Sequence, residues 1–137
     1  MPTTVINVVA GCLLDQQQRL LVVRKRNTQR FMLPGGKPDT GESPLTTLAR
    51  EWQEELGVQP DGEIKLLGTF SAAAANEPNC QVTATIFCVE GMSAEAITCA
   101  AEIEEFRWLP IEHSATLPLA PLLETQVLPA LKAAHGF

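Results

Sequence analysis

The sequence predicts a chain that mixes strands and helices, α+β or α/β, and three observations carry that prediction. Short apolar, β-branched runs recur from Val5 to Leu14, Arg19 to Arg24, Ile64 to Phe70 and Gln81 to Val89. An amphipathic segment with helix signals at both ends lies between the second and third of them, and a Leu-rich helical pattern closes the chain. The 137 residues are about the length of one domain and can bury a core without disulfide or metal staples, so residues 1–137 are expected to form a single domain.

Taken in order, Val5 to Leu14, the polar turn Asp15-Gln16-Gln17-Gln18 and Arg19 to Arg24 read as strand, turn, strand. Arg24-Lys25-Arg26 ends the second strand with three cations, and Arg30 follows. Such a run is either a solvated strand end or a clamp on phosphates, for which the planar guanidinium forks of Arg24 and Arg26 are suited. Phe31-Met32-Leu33-Pro34 is expected to be extended, since Pro34 disfavours helix at Leu33. It delivers the chain into Gly35-Gly36-Lys37, where the glycines let backbone approach a ligand closely.

Ser43 as N-cap, Pro44 at the first helical position and Gly57 as stop define a helix of about four turns. At about 100° per residue, Leu45, Leu48, Ala49, Trp52 and Leu56 share one arc, expected to pack, and Glu51, Glu54 and Glu55 share an adjoining arc, expected to stay wet. Carboxylates three and four residues apart repel by a few tenths of a kcal/mol per pair, so a cation is expected there. Mg²⁺ or Mn²⁺ suits, being hard, oxygen-seeking and tolerant of water and phosphate in the same shell.

Ile64 to Phe70 is expected to be a strand that runs through the alanines into a hairpin loop at Asn76-Glu77-Pro78-Asn79, and Gln81 to Val89 a strand partly buried on both faces. Gly91 to Ala101 reads as a loop. Glu102-Ile103-Glu104-Glu105 leads into a short strand Phe106-Arg107-Trp108-Leu109, stopped by Pro110. A C-terminal helix is expected from near Pro121, bending or restarting near Pro129.

With 16 acidic and 10 basic residues the net charge is −6, which argues against broad attraction to nucleic acid or an anionic membrane. No apolar stretch approaches the ~20 residues that span a bilayer, and no leader pattern opens the chain, so a cytoplasmic location is expected. Cys12, Cys80, Cys88 and Cys99 lack CxxC spacing and read as buried free thiols of a reducing compartment. His113 and His135 have no partner at metal-ligand spacing and read as surface residues.

Gly36, Glu42 six residues on, and Arg50-Glu51-Trp52-Gln53-Glu54-Glu55-Leu56-Gly57-Val58 fill every defined position of the Nudix box, with Trp52 and Val58 at its bulky apolar positions. The chain resembles the Nudix hydrolases. That resemblance implies an α/β/α sandwich around a mixed β-sheet and metal-dependent cleavage of a phosphoanhydride in a nucleoside diphosphate derivative. It implies that Glu51, Glu54 and Glu55, with the Gly35 carbonyl, hold the metals, and that Arg50 orients a glutamate. Glu42 would stabilise the loop–helix geometry or serve as an outer metal ligand. Many members carry a further glutamate before the late strand; Glu102 is its first candidate here and Glu105 its second, and Glu51 or Glu102 would act as base. Arg24, Arg26, Lys37 and Phe31 are the candidate substrate contacts, with Phe70, Phe87 and Trp108 as further candidates for stacking a base.

The mutator-type nucleoside triphosphatases are the subgroup most resembled, which makes a (d)NTP or oxidised (d)NTP the expected small-molecule substrate, converted to monophosphate and pyrophosphate. No tyrosine is present, so the tyrosine that some dinucleoside polyphosphate hydrolases carry is missing, and residue 74, near a proline often found in ADP-ribose hydrolases, is alanine. Alternatives are an ADP-ribose or nucleotide-sugar pyrophosphatase, a hydrolase of capped RNA ends, or a non-catalytic nucleotide-binding module. Homodimers are common in the family, although no interface is legible in the sequence.

Overall fold

The computed structural model describes residues 4–74, 78–112 and 117–136. Seven regular elements precede the C-terminal helix: β1 (Thr4–Leu14), β2 (Arg19–Lys25), β3 (Gly35–Gly36), α1 (Pro44–Leu56), β4 (Glu63–Ala73), β5 (Cys80–Glu90) and β6 (Ile103–Pro110). The helix α2 (Leu128–Ala134) follows a π-helical turn, Leu123–Val127. The strands form one mixed sheet in the order β4-β5-β1-β2-β6, with β3 pairing β1. The β1–β5 pair is parallel and the others are antiparallel.

Alternation along β1 sorts its side chains onto the two faces of the sheet, as a pleated strand requires. Val9 and Leu13 join Leu21, Val23, Phe87 and Val89 under Leu48, Trp52 and Leu56 of α1. Ala10, Cys12 and Leu14 join Leu20, Val22 and Ile86 under Leu123, Val127, Leu128 and Leu131. The result is the expected α/β/α sandwich, two cores separated by one sheet. No helix among the described residues is long and apolar enough to cross a membrane.

The helix signals act as expected. The Ser43 side chain accepts from the Thr46 amide, Pro44 opens the helix, and Gly57 closes it at φ 72° with its N–H donating to Gln53 O. The packed stripe differs at one place. Leu45 lies on the apolar arc but is 51% exposed, because it stands in the first turn with no core above it, and Thr47 is buried instead. Thr47 is accommodated because its hydroxyl bonds Glu42 Oε1 and Ser43 O. Near the C-terminus, Pro129 has no N–H to give the helix, and the turn before it widens: the Leu128 N–H reaches back to Leu123 O. In the loop expected at 76–79, Asn76 and Glu77 lie outside the described residues, as does His113.

Trp52 ties α1 to the segment entering β3. Its ring is fully buried, and its Nε1–H donates to Pro34 O at 2.9 Å. Gly11 makes room for it, since a Cβ there would stand 2.6 Å from Trp52 Cζ2. Trp52→Ala should destabilise the protein by ~3–5 kcal/mol in urea unfolding; a change below about 1 kcal/mol would contradict this packing.

Candidate active site

The acidic face of α1 is built around one cation. Arg50 donates from Nε and Nη2 to the two oxygens of Glu42, both at 2.9 Å, from Nη1 to Glu51 Oε1 at 3.0 Å, and from Nη2 to the carbonyl of Lys37 at 2.9 Å. Asp39 Oδ2 lies 3.3 Å and Glu54 Oε1 3.6 Å from the same guanidinium. Glu42 also accepts from the Asp39 amide and the Thr47 hydroxyl. These bonds, Arg50's first, hold the Glu42 carboxyl down at about 2, and Glu42 in turn raises Arg50 further above its already high value. The loop before α1 is therefore clamped to the helix through Glu42.

The three helix glutamates occupy different environments. Glu54 is exposed and Glu51 half-buried. Glu51 lies against Gly36, where any Cβ would overlap its carboxyl group. Glu55 is only 6% exposed, contrary to the expectation that all three stay wet. At ~100° per residue Glu55 stands about 20° from Leu48, so it falls on the packed edge of the acidic arc. Its Oε1 accepts from the Gly35 amide at 3.0 Å. Burial pushes its carboxyl up to about 7, against the Gly35 hydrogen bond and the charge of Lys25; the charges of Glu51 and Glu102 add to the rise.

The segment 98–105 reaches this site from the other side. The Thr98 and Ala100 amides donate to the carbonyls of Leu56 and Glu55, satisfying helix-end acceptors that would otherwise be orphaned. Ala101 turns at φ 54°, and Glu102 follows with its side chain 76% exposed and 3.8 Å from Lys25 Nζ. Glu105, the second candidate for the additional acid, lies elsewhere. It is in strand register with Arg24, not in the loop, and its oxygens accept from Arg24 Nε at 2.9 Å and Arg107 Nε at 3.1 Å.

The expected substrate contacts are placed less favourably. Arg24 is held by Glu105 and by Thr28 O, and Arg26 Nη2 donates to Ala101 O at 2.6 Å. As folded, both arginines fasten the 101–105 segment and the 24–28 turn instead of forming an open phosphate clamp. Phe31 is 4% exposed in the core beneath the C-terminal helix and offers no ring face for a base. Lys37 is exposed, and the interaction seen at this position is through its carbonyl. Of the 24–26 run, the cation near Glu55 and Glu102 is Lys25, legible in the sequence only as a member of that run. The β2–β6 register shifts between Arg24 and Lys25, and such a bulge re-aims a side chain. That shift has no signature in the sequence.

The donor chemistry of this face fits a hard divalent cation: carboxylate oxygens, one of them made less acidic first by burial and further by the charges of Glu51 and Glu102, which a cation would offset. As the side chains stand, no three His, Cys, Asp or Glu among the described residues converge on one ion position. Glu51 is turned to Arg50 and Glu55 to the Gly35 amide. A cleft of about 750 Å³, bordered by Asp15, Arg19, Glu90, Met92, Trp108 and His135, touches none of these glutamates.

The sequence model of the NUDIX domain matches residues 5–131. The chain is 42% identical over 52 residues to an RNA pyrophosphohydrolase of Francisella tularensis subsp. mediasiatica, an alignment covering 38% of this chain and 34% of that protein. It is 32% identical over 113 residues, 75% of this chain, to the CMP-5′-(N-acetyl-N-hydroxy-3-aminopropyl)phosphonate hydrolase of Streptomyces rubellomurinus, of which it spans half. The crystal structure of a MutT protein from Methanosarcina mazei Go1 superposes with a TM-score of 0.80 over 100% of this chain and 99% of that one, at 19% identity.

The buried Glu55 makes a pH prediction. Its folded value of about 7 stands above the ordinary 4.5, so the folded state keeps a proton that the unfolded state releases. In chelator-treated protein, the stability contributed by this carboxyl should be full below about pH 4.5 and be lost as pH rises through about 7, by on the order of 3 kcal/mol. Glu55→Gln should remove that decline in unfolding measured at acid and alkaline pH. Equal pH slopes for variant and wild type would contradict the burial.

Proposed function

The chain belongs to the NUDIX family of hydrolases, which act on phosphoanhydride bonds, and from that premise we propose that it hydrolyses a nucleoside triphosphate, canonical or oxidised, to monophosphate and pyrophosphate. The observation that carries this reading is that Glu55 of α1 lies within electrostatic reach of Glu51 on the same helix, of Lys25 from β2 and of Glu102 from the 98–105 segment, with Glu54 beside them on Arg50. Acids gathered around a buried carboxyl, with a lysine at the rim, suit an anionic substrate that arrives with divalent cations.

In this reading Glu51, Glu54 and Glu55, with the Gly35 carbonyl, would hold Mg²⁺ or Mn²⁺. The metal would supply charge neutralisation on the phosphate oxygens and acidification of bound water. The chain's own residues then do the following. Arg50 positions Glu51 and Glu54 and keeps the 37–42 loop against the helix. Lys25 offers its ammonium to a phosphate oxygen. Glu102 takes the proton of the attacking water; it is exposed and engaged only at 3.8 Å by Lys25, whereas Glu51 is bound by Arg50 at 3.0 Å. The small-molecule substrate class agrees with the net charge of −6, which disfavours a polynucleotide.

Nucleoside monophosphate formation, resolved by ion-exchange chromatography, from a panel of canonical and 8-oxo nucleoside triphosphates, ADP-ribose and nucleotide sugars, with and without Mg²⁺, tests the reaction and the substrate together. Mg²⁺-dependent pyrophosphate release from triphosphates is expected. Monophosphate formed only from ADP-ribose or a nucleotide sugar, with a sugar phosphate as the second product, would overturn the substrate and keep the reaction. Glu54→Gln should lower turnover by about 100-fold or more without loss of helical circular dichroism, and near-normal turnover in the folded variant would overturn the site.

A further inference from the structure

Strands β4, β5 and β1 lie side by side, and their registers put three reactive side chains on consecutive rungs. Lys65 of β4 is opposite Cys88 of β5, and Cys88 is opposite Cys12 of β1. Residues paired directly across neighbouring strands project from the same face of a sheet, here the face beneath α2. Adjacent strands stand ~4.8 Å apart, within the ~4.4–6.8 Å Cα separation that a disulfide bridges. The two thiols, paired across β1 and β5, act on each other's ionisation. The neighbouring thiol raises Cys12, which burial raises further, and lowers Cys88 against the opposing effects of burial and Glu90.

The two sulfurs differ in access. Cys12 is 0% exposed and Cys88 9%. Cys88 lines a separate pocket of about 200 Å³ with Lys65, Leu66, Leu67, Ala134 and His135, large enough for a molecule the size of a peroxide. The polar groups around the pocket are paired with one another, Lys65 with Glu63 at 2.6 Å and His135 Nε2 with Glu90 at 3.4 Å. The remaining cysteines have no such arrangement: Cys80 is opposite Thr4, and Cys99 is an exposed loop residue. Cys12 and Cys88 lie in the core beneath α2, across the sheet from α1 and its acids.

We propose that Cys88 and Cys12 are a peroxide-reactive pair, in which Cys88 is oxidised through the pocket and Cys12 resolves it as a disulfide between β5 and β1. The Cys88 thiolate attacks one oxygen of hydrogen peroxide. The O–O bond breaks, the sulfur loses two electrons, and with one proton taken up the products are Cys88 sulfenic acid and water. The Cys12 thiol then attacks the sulfenic sulfur. The S–S bond forms as the S–O bond breaks, and the hydroxide leaves with the Cys12 proton as a second water. The buried thiol is thus the resolving partner that lets oxidation stop at a reversible stage.

The test is mapping of the full chain after reduction, brief exposure to equimolar hydrogen peroxide, unfolding and alkylation of the remaining thiols. The four free thiols should fall to two, with Cys12 and Cys88 peptides recovered linked and separated again by dithiothreitol. In Cys12→Ser, Cys88 should instead be trapped by dimedone as sulfenic acid. Alkylation of both Cys12 and Cys88 after peroxide treatment, or a linkage that uses Cys80 or Cys99, would overturn the proposal. Because the wild-type map alone decides between these outcomes, a variant that fails to fold leaves the test intact.

Discussion

The fork of Arg50 to Glu42 and Glu51 is the interaction on which the acidic face depends. Glu51, Glu54 and Glu55 crowd one side of a helix next to Asp39 and Glu42, and like charges at this spacing oppose the fold. One guanidinium reaches four of those five carboxylates. Five donors fixed in a plane can serve several acceptors at once, which an ammonium on a flexible stem cannot reproduce. The same side chain also grips the Lys37 carbonyl, so the turn after the two glycines and the glutamates of the helix are set by one group. Glu55, the acid Arg50 does not reach, goes inward to the Gly35 amide and carries the burial cost in its raised protonation equilibrium.

The second constraint is the end of α1. A helix leaves its last carbonyls without internal partners, and here the 98–100 stretch supplies amides to two of them. That docking, together with Arg26 gripping Ala101 O, fixes where Glu102 emerges. The arginines expected to hold phosphate hold protein, and in doing so they deliver an acid and a lysine to the site. A cation run at a strand end thus acts through architecture, with only Lys25 left facing the carboxylates.

What was legible in the sequence follows from how local each cause is. The caps of α1 are contained in Ser43, Pro44 and Gly57, and the unbroken apolar run of β1 reports burial on both faces of the sheet directly. The Nudix box named Glu51, Glu54, Glu55 and Arg50 together, because their spacing is itself the motif. Glu55's burial was also present in the helical angles, but grouping it with two wetter acids hid its position at the packed edge. The role of Lys25 and the loss of Arg24 and Arg26 to internal contacts were not legible, since they depend on a β-bulge and a loop docking set by tertiary contact. Phe31 was legible only as apolar; whether a ring stacks on ligand or core depends on what the C-terminal helix covers.

Direct titration with Mn²⁺, followed by the loss of its free electron paramagnetic resonance signal, tests most sharply whether this face is a cation site. The account predicts saturable binding by the wild type, weakened about tenfold or more in Glu51→Gln and in Glu55→Gln, and unchanged in a variant of the distant cleft such as Glu95→Gln. Binding that is equally strong in all four proteins would contradict it.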